Sequence, residues 1–449
     1  MKFFNKFNYI NVFTILYLVF FIFLLSYTIY RAEFIHQANQ FNYYYKYYLI
    51  FSIGIFFWTI IFFLNRTHKI KIIVGSTSLI FLLYGYESYL TIQNSKINFK
   101  DNWQMTTVQA KLNLIDKIKK RDEIDVVPSI FPRAILDRNW KDNIFPIGGI
   151  SNTTTVYCKE GEKFSIYKSD RYGFNNPDDM WDKAKISWFL IGDSFTQGSC
   201  VQPGEDLASQ IRKLTKQNVI SVGMSGNGPL IELASLKEYG EKKSPEIILW
   251  IYFERNDLDD LKHEKTNKIF MNYLNDFNQG LFYKQNEIDD KLKKYIKIIE
   301  KEIKKKERFV KKNVDYFLLL KKIIRLQVLR DKLALDRGLN LDVDPLFKEI
   351  IVSSKDFINK WDGKLYFVYL PDKERYASKN INHDSYLNKS KIIKIINDLD
   401  IPLIDIHEEF FIKQDDPIEF YAHRIYGHYS PDGYHKVAET IVKKVNEFK

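Results

Sequence analysis

The residues best able to do chemistry sit just past apolar runs. Ser194 lies in Gly192-Asp193-Ser194-Phe195-Thr196-Gln197-Gly198, directly after Trp188-Phe189-Leu190-Ile191. A serine at the carboxyl end of a buried strand stands where open α/β sheets bind ligands, and a base arriving from another loop can activate it. Further along come Gly223-Met224-Ser225-Gly226-Asn227-Gly228-Pro229, a glycine turn whose backbone N–H groups can face a ligand, and Glu254-Arg255-Asn256-Asp257. Near the C-terminus stands Gly427-His428-Tyr429-Ser430-Pro431-Asp432-Gly433-Tyr434-His435. A hydroxyl, an imidazole and several uncharged donors are the groups that acyl transfer needs. The hydroxyl attacks, the imidazole moves its proton, and the donors hold the developing oxyanion.

Serine, glycine, asparagine and histidine in this order, each after a strand, resemble the SGNH/GDSL hydrolase family. The resemblance covers about Ile186 to Leu261 and Gly363 to Phe448. It implies a flavodoxin-like α/β/α domain acting on esters, with Ser194 as nucleophile and an oxyanion hole made by the Ser194 N–H, Gly226 and the Asn256 amide. Each residue also has a plain structural explanation. Ser194 would be a helix N-cap, Gly226 a turn glycine, and Asn256-Asp257 a turn or capping pair.

Two histidine frames compete. Family members usually carry an aspartate three residues before the base, and Asp432-Gly433-Tyr434-His435 fits that literally. However, Ser430-Pro431-Asp432 reads as N-cap, first-turn proline and first-turn acid, so His435 would be carried away on a helix. His428 stays in the loop above the sheet and is the favoured base. Ile425 stands three residues before it and cannot orient an imidazole. The second ring nitrogen must therefore bond a backbone carbonyl or an acid from elsewhere, giving a Ser-His dyad. Phe195 replaces the family's leucine, and Arg255 stands where glycine is expected.

The elements that must position these groups follow from the apolar runs. Trp188–Ile191, Asn218–Val222, Ile247–Tyr252, Lys364–Tyr369 and Ile401–Ile406 predict about five parallel strands with helices on both faces. The SGNH-like domain is expected over 185–449, preceded over 96–184 by a connecting and N-terminal part of the soluble domain. A helical insertion over about 262–350 emerges beside Asn256, where it would cap the site. From Glu287 to Asp331 there are 15 Lys or Arg against 8 Asp or Glu, with an apolar stripe at Leu292, Tyr295, Ile296, Ile299 and Ile303. That pattern suits a solvated helix packed on the domain, a helix on an anionic membrane surface, or a docking face for an acidic glycan or partner. Asp170–Pro177 mixes aromatic and amide groups that would either bind sugar hydroxyls or form a plain turn.

Residues 1–95 carry three apolar stretches, Ile10–Tyr30, Tyr47–Leu64 and a weaker Ile70–Leu90 interrupted by Lys71 and Glu87. Each is long enough to span a bilayer as a helix, and the first lacks a cleavage site, so it reads as an anchor. Lys2, Lys6, Arg66, Lys69 and Lys71 place the N-terminus and the second loop in the cytoplasm. Three crossings then put the catalytic domain in the periplasm or outside the cell, on a multi-pass protein of the cell (inner) membrane, whereas a third segment that is a buried helix would put it inside. Cys158 and Cys200 would pair there, closing a loop of about 40 residues for roughly 4 kcal/mol, or remain two unrelated thiols. The net charge of +11 invites nucleic acid, which a domain outside the cytoplasm would not meet. No Cys/His cluster or phosphate-binding glycine loop implies a metal or cofactor. The expected function is a serine esterase acting through a seryl-acyl intermediate on an ester or acylated glycan. The alternatives are acyl transfer to, or deacetylation of, cell-surface polysaccharide, with a separate membrane acyltransferase supplying any acyl group, and a non-catalytic binding module.

Overall fold

The computed structural model describes residues 9–35, 41–100, 103–138, 140, 142–161, 163–310, 320–332, 343–377 and 388–448. The chain forms two compact units, one comprising residues 102–309 and 341–449 and the other 1–101 and 310–340. We call them the sheet unit and the helical unit.

In the sheet unit, β1 (Val126–Pro128), β2 (Thr154–Val156) and β3 (Ile166–Lys168) make a small mixed sheet. The main sheet is parallel and holds β4 (Trp188–Gly192), β5 (Val219–Ser221), β6 (Ile247–Phe253), β7 (Lys364–Leu370) and β8 (Leu403–Asp405). Their order is β5-β4-β6-β7-β8. Every residue of β4 and β6 is buried, as strands covered on both faces must be. One apolar core lies on each face. Phe189, Trp250 and Phe367 point into one, and Leu190, Leu249 and Val368 into the other. This is the expected flavodoxin-like α/β/α arrangement of five parallel strands. Strand order reverses at β4, and the crevice at such a reversal opens at the carboxyl ends of the strands. Ser194 follows β4 by two residues.

The stretch before β4, expected to connect and to begin the soluble domain, supplies the small sheet and helix α1 (Pro132–Leu136). Asp170–Pro177 is a structural turn. The Asp170 carboxylate is wholly buried and accepts from the Tyr172 and Phe174 N–H groups, Asn176 Nδ2 and Trp181 Nε1. The Asn176 side-chain oxygen in turn accepts from Ser221 N–H and Arg212. With these amides consumed internally, the sugar-binding reading of that loop is not sustained.

The expected insertion over 262–350 is not one block. The stripe of helix α2 (Gln285–Val310) packs on the sheet unit through Ile288, Leu292 and Ile296. Helix α3 (Pro345–Asn359) is an ordinary crossover helix that buries Phe347, Ile350 and Ile351 before β7. Residues 310–340 between them belong to the helical unit.

The long helices described in the helical unit are Tyr9–Ile29, Phe41–Phe63 and Arg66–Lys100. Segments Ile10–Phe34, Tyr44–Phe63 and Arg66–Ile92 are long and apolar enough to cross a membrane. Tyr17 stacks on Trp58 at 4.1 Å and bonds Thr77 at 2.8 Å, so all three helices share one packing point. Phe23, Phe56 and Phe81 stay exposed, as lipid-facing residues do.

Candidate active site

At the end of β4 the chain turns into a single helical turn, Ser194–Gln197. The cap is Asp193, whose carboxylate accepts from the Phe195 N–H at 2.9 Å. The capping role that would explain Ser194 without chemistry therefore falls to its neighbour. Ser194 Oγ lies 2.9 Å from His428 Nε2 and 3.2 Å from Asp193 Oδ2. Phe195 is buried among Phe253, Tyr429 and the His428 ring, with centroids 4.4, 4.7 and 5.0 Å away. A leucine would fill less of that space, which accounts for the aromatic residue there.

His428 sits in the loop before helix α4 (Pro431–Glu447), held by Ala422 N–H donating to its carbonyl at 2.9 Å and by a bridge between Tyr421 and Tyr429. Its Nδ1 lies 2.7 Å from Glu160 Oε1. An ionised carboxylate only accepts, so Nδ1 carries the hydrogen and Nε2 is left to accept from the Ser194 hydroxyl. Burial pulls the imidazole down, but the Glu160 bond and the charges of Glu160 and Asp193 outweigh it and hold the ring above its ordinary range. Ile425, three residues upstream, is an exposed side chain with no part in this. Its carbonyl accepts from Lys373 Nζ.

The other frame is helical. Ser430 caps α4 by accepting from Gly433 N–H at 3.1 Å, Pro431 is its first residue and Asp432 lies in its first turn. His435 rides on that helix, 3.0 Å from Gln210 Oε1 and 3.0 Å from Glu439 Oε1, and does not meet Ser194.

Glu160 was not singled out by the sequence, and three features place it. β2 delivers Tyr157 to the site, Cys158 is disulfide-bonded to Cys200 with Cα atoms 4.9 Å apart, and Glu160 follows two residues later. The bridge ties the acid's segment to the chain six residues beyond Ser194. The buried Tyr157 hydroxyl meets Ser199 Oγ at 2.6 Å and also Ser225 Oγ, fastening the glycine turn. Ser225 N–H also donates to Gln197 Oε1 at 2.8 Å. Glu160, Cys200 and His428 come close enough to hold an ion, but the sulfur is committed to the disulfide and the other two to each other.

Gly226 has φ +72°, a conformation that favours glycine, and a Cβ there would lie 2.8 Å from Arg133 Cβ. Asn256 occupies the N-cap position of the helix Asp257–Glu264 yet makes no capping bond. Its Nδ2 donates to Asp260 Oδ2 at 2.6 Å. Arg133 from α1 pairs with Asp260 from the other side. Burial pushes the Asp260 carboxyl up to about 7 against the pull of Asn256 and Arg133. Arg255 has no left-handed backbone that would call for glycine, and its exposed guanidinium meets Asp372 at 3.3 Å.

No family model and no curated protein matches the sequence. Among solved structures, the chain is similar to a protein assigned to the G-D-S-L lipolytic family from Desulfitobacterium hafniense, at 10% identity over 58% of this chain and 99% of that one, with a TM-score of 0.33. An acetyl xylan esterase matches at 12% identity over 58% and 100% of the chains, with a TM-score of 0.31. The lipase/acylhydrolase from Enterococcus faecalis matches at 13% over 58% and 95%, with a TM-score of 0.33. At such low scores, the reading of this chain rests on its own strand order and site geometry.

Proposed function

We propose that this chain is a membrane-anchored serine esterase of the SGNH/GDSL kind, with its sheet unit outside the cytoplasm. The carrying observation is the chain of hydrogen bonds from Ser194 Oγ to His428 Nε2 and from His428 Nδ1 to Glu160. It joins three segments far apart in sequence at the crevice where strand order reverses. In this reading Ser194 Oγ attacks the ester carbonyl carbon while its proton passes to His428 Nε2. Glu160 stabilises the imidazolium at Nδ1, and the oxyanion forms against the Ser194 and Gly226 N–H groups and Asn256 Nδ2. Collapse breaks the carbonyl–alkoxy bond, and the leaving alcohol takes the proton from Nε2. Water, giving its proton to the same nitrogen, then attacks the seryl ester; the acyl carbon–Oγ bond breaks, the acid leaves, and Ser194 Oγ takes that proton back from Nε2.

Among the described residues no hydrogen bond engages the Ser194 or Gly226 N–H, as suits donors kept for an incoming oxygen. The Cys158–Cys200 disulfide and the basic residues at Lys2, Lys6, Arg66, Lys69 and Lys71 support the outward orientation. The substrate class is an ester or an acylated glycan.

The test is fluorophosphonate labelling of the full chain in micelles under oxidising conditions, beside hydrolysis of p-nitrophenyl acetate. Labelling is expected in the native chain and lost in Ser194→Ala and His428→Ala, while His435→Ala keeps it. A folded native chain that neither labels nor hydrolyses the ester overturns the proposal.

A further inference from the structure

The most unusual contact away from the site is made by an acid on a candidate membrane span. Glu87 lies on the helix Arg66–Lys100 and is wholly buried. Its Oε1 accepts from Thr91 Oγ1 at 3.2 Å and from Val328 N–H at 2.9 Å, and its Oε2 from Leu329 N–H at 2.9 Å. The Tyr84 hydroxyl donates to the Ile324 carbonyl at 3.3 Å. Residues 320–332, which the chain reaches only after threading much of the sheet unit, are thus held against a span at two levels.

The level of that contact follows from helix geometry. From Arg66 to Glu87 the helix rises roughly 32 Å at about 1.5 Å per residue, close to the hydrocarbon thickness of about 30 Å. Glu87 therefore reaches the opposite boundary of the bilayer from Arg66. Tyr84, Tyr86 and Tyr89, all exposed, mark the same boundary as interfacial tyrosines do. Whatever is fixed to Glu87 and Tyr84 is fixed at the headgroups.

The segment has the chemistry for that place. Residues 320–332 hold five Lys or Arg against one Asp. Leu320 and Ile324, four residues apart and so on one helical face, are 53% and 60% exposed, with Lys321, Lys322 and Arg325 beside them. Leu326 has φ +49° and breaks the run, so that the next turn, Gln327–Lys332, presents its N–H groups to Glu87. Apolar side chains beside cations, held at a bilayer boundary, fit acyl chains below and anionic phosphates above.

We infer that residues 320–332 form an interfacial foot that binds anionic phospholipid headgroups and is latched to the bilayer by Glu87. The foot gives the chain a second contact with the bilayer, in mid-chain. The inference is independent of the chemistry at Ser194.

The test uses the full chain in nanodiscs, labelled with a nitrobenzoxadiazole dye at Ile324→Cys, the native cysteines being paired. Doxyl-phosphatidylcholine in the disc should quench this label at least half as strongly as one at Tyr89→Cys, and several-fold more than one at Leu214→Cys. Replacing part of the phosphatidylcholine with phosphatidylglycerol should raise the quenching about twofold, and Lys321→Gln/Lys322→Gln/Arg325→Gln should remove that rise. Glu87→Ala should drop the Ile324 signal towards the Leu214 level while the Tyr89 signal stays, and Glu87→Gln should fall between. A water-exposed Ile324 label in the native chain, quenching indifferent to phosphatidylglycerol, or quenching indifferent to Glu87→Ala each overturns the inference.

Discussion

Glu160 in the sheet unit and Glu87 in the helical unit are both shielded carboxylates, and each meets a partner more than 200 residues away in sequence. They end with different work because they meet different donors. Glu160 accepts one imidazole N–H, a donor whose proton state can change, and so is coupled to a hydroxyl 2.9 Å beyond the ring. Glu87 accepts two backbone N–H groups, which do not titrate, and holds a helical turn in place. On the two proposals made above, the same side chain serves chemistry or attachment according to what the fold brings to it.

The largest expected contrast is in turnover. Ser194→Ala should abolish ester hydrolysis, and Glu160→Gln should lower kcat by about 10²–10⁴-fold with KM little changed, since only transition-state charge is lost. Glu87→Ala should leave kcat on a soluble ester unchanged, and a loss matching that of Glu160→Gln would break the comparison. Next comes Asn256→Ala, expected to cost about 10²–10³-fold in kcat with a nearly native melting temperature. A chain that unfolds instead would make Asn256 structural. Reducing Cys158–Cys200 should cost about tenfold in kcat/KM with the sheet unit still folded by circular dichroism, because it loosens Glu160 but leaves Ser194 and His428 in place. Unchanged activity would mean that Tyr157 alone holds the acid.

The smallest effects are on pH dependence. The base must be neutral to act, so kcat/KM should rise with pH through a midpoint above the ordinary imidazole value of about 6.5, and Glu160→Gln should lower that midpoint. Stability runs the other way for the same pair. A histidine whose folded pKa is raised contributes stability that is full below its unfolded pKa and lost as pH climbs through the folded one. The buried acids act in the same direction. Asp260 is pushed up to about 7 and Glu264 to about 8, chiefly by burial, so the folded chain binds more protons than the unfolded chain between their unfolded and folded values. Melting temperature should therefore be higher at pH 5.5 than at pH 8.5, and Asp260→Asn should flatten the slope. A slope of opposite sign would mean that these carboxyls are not shielded in solution.

Much of this was legible in the residues. The five strands are apolar runs ended by glycine or polar turns, and Ser430-Pro431 starts a helix wherever it stands. Ser194, Gly226, Asn256 and His428 lie a few residues past strands or just before that helix, so local pattern finds them. Glu160 carries no such mark. It is an acid in Cys158-Lys159-Glu160-Gly161, a stretch that reads as an exposed turn, and only the cysteine two residues earlier hints at its place. Arg133 and Asp260, which brace Asn256, were equally silent. So was the return of residues 320–332 to a span, since a basic amphipathic helix fits several surfaces.

The sequence by itself determined the strands, the candidate spans, the place of Ser194 after a strand and the choice between helix and loop for the two histidines, because each depends on apolar periodicity and capping within about ten residues. Only the tertiary structure decided which acid orients His428, that Arg133 reaches Asp260 beside Asn256, and which unit residues 310–340 join. Those outcomes depend on hydrogen bonds between segments more than a hundred residues apart, and no local preference encodes which distant donor a carboxylate will meet.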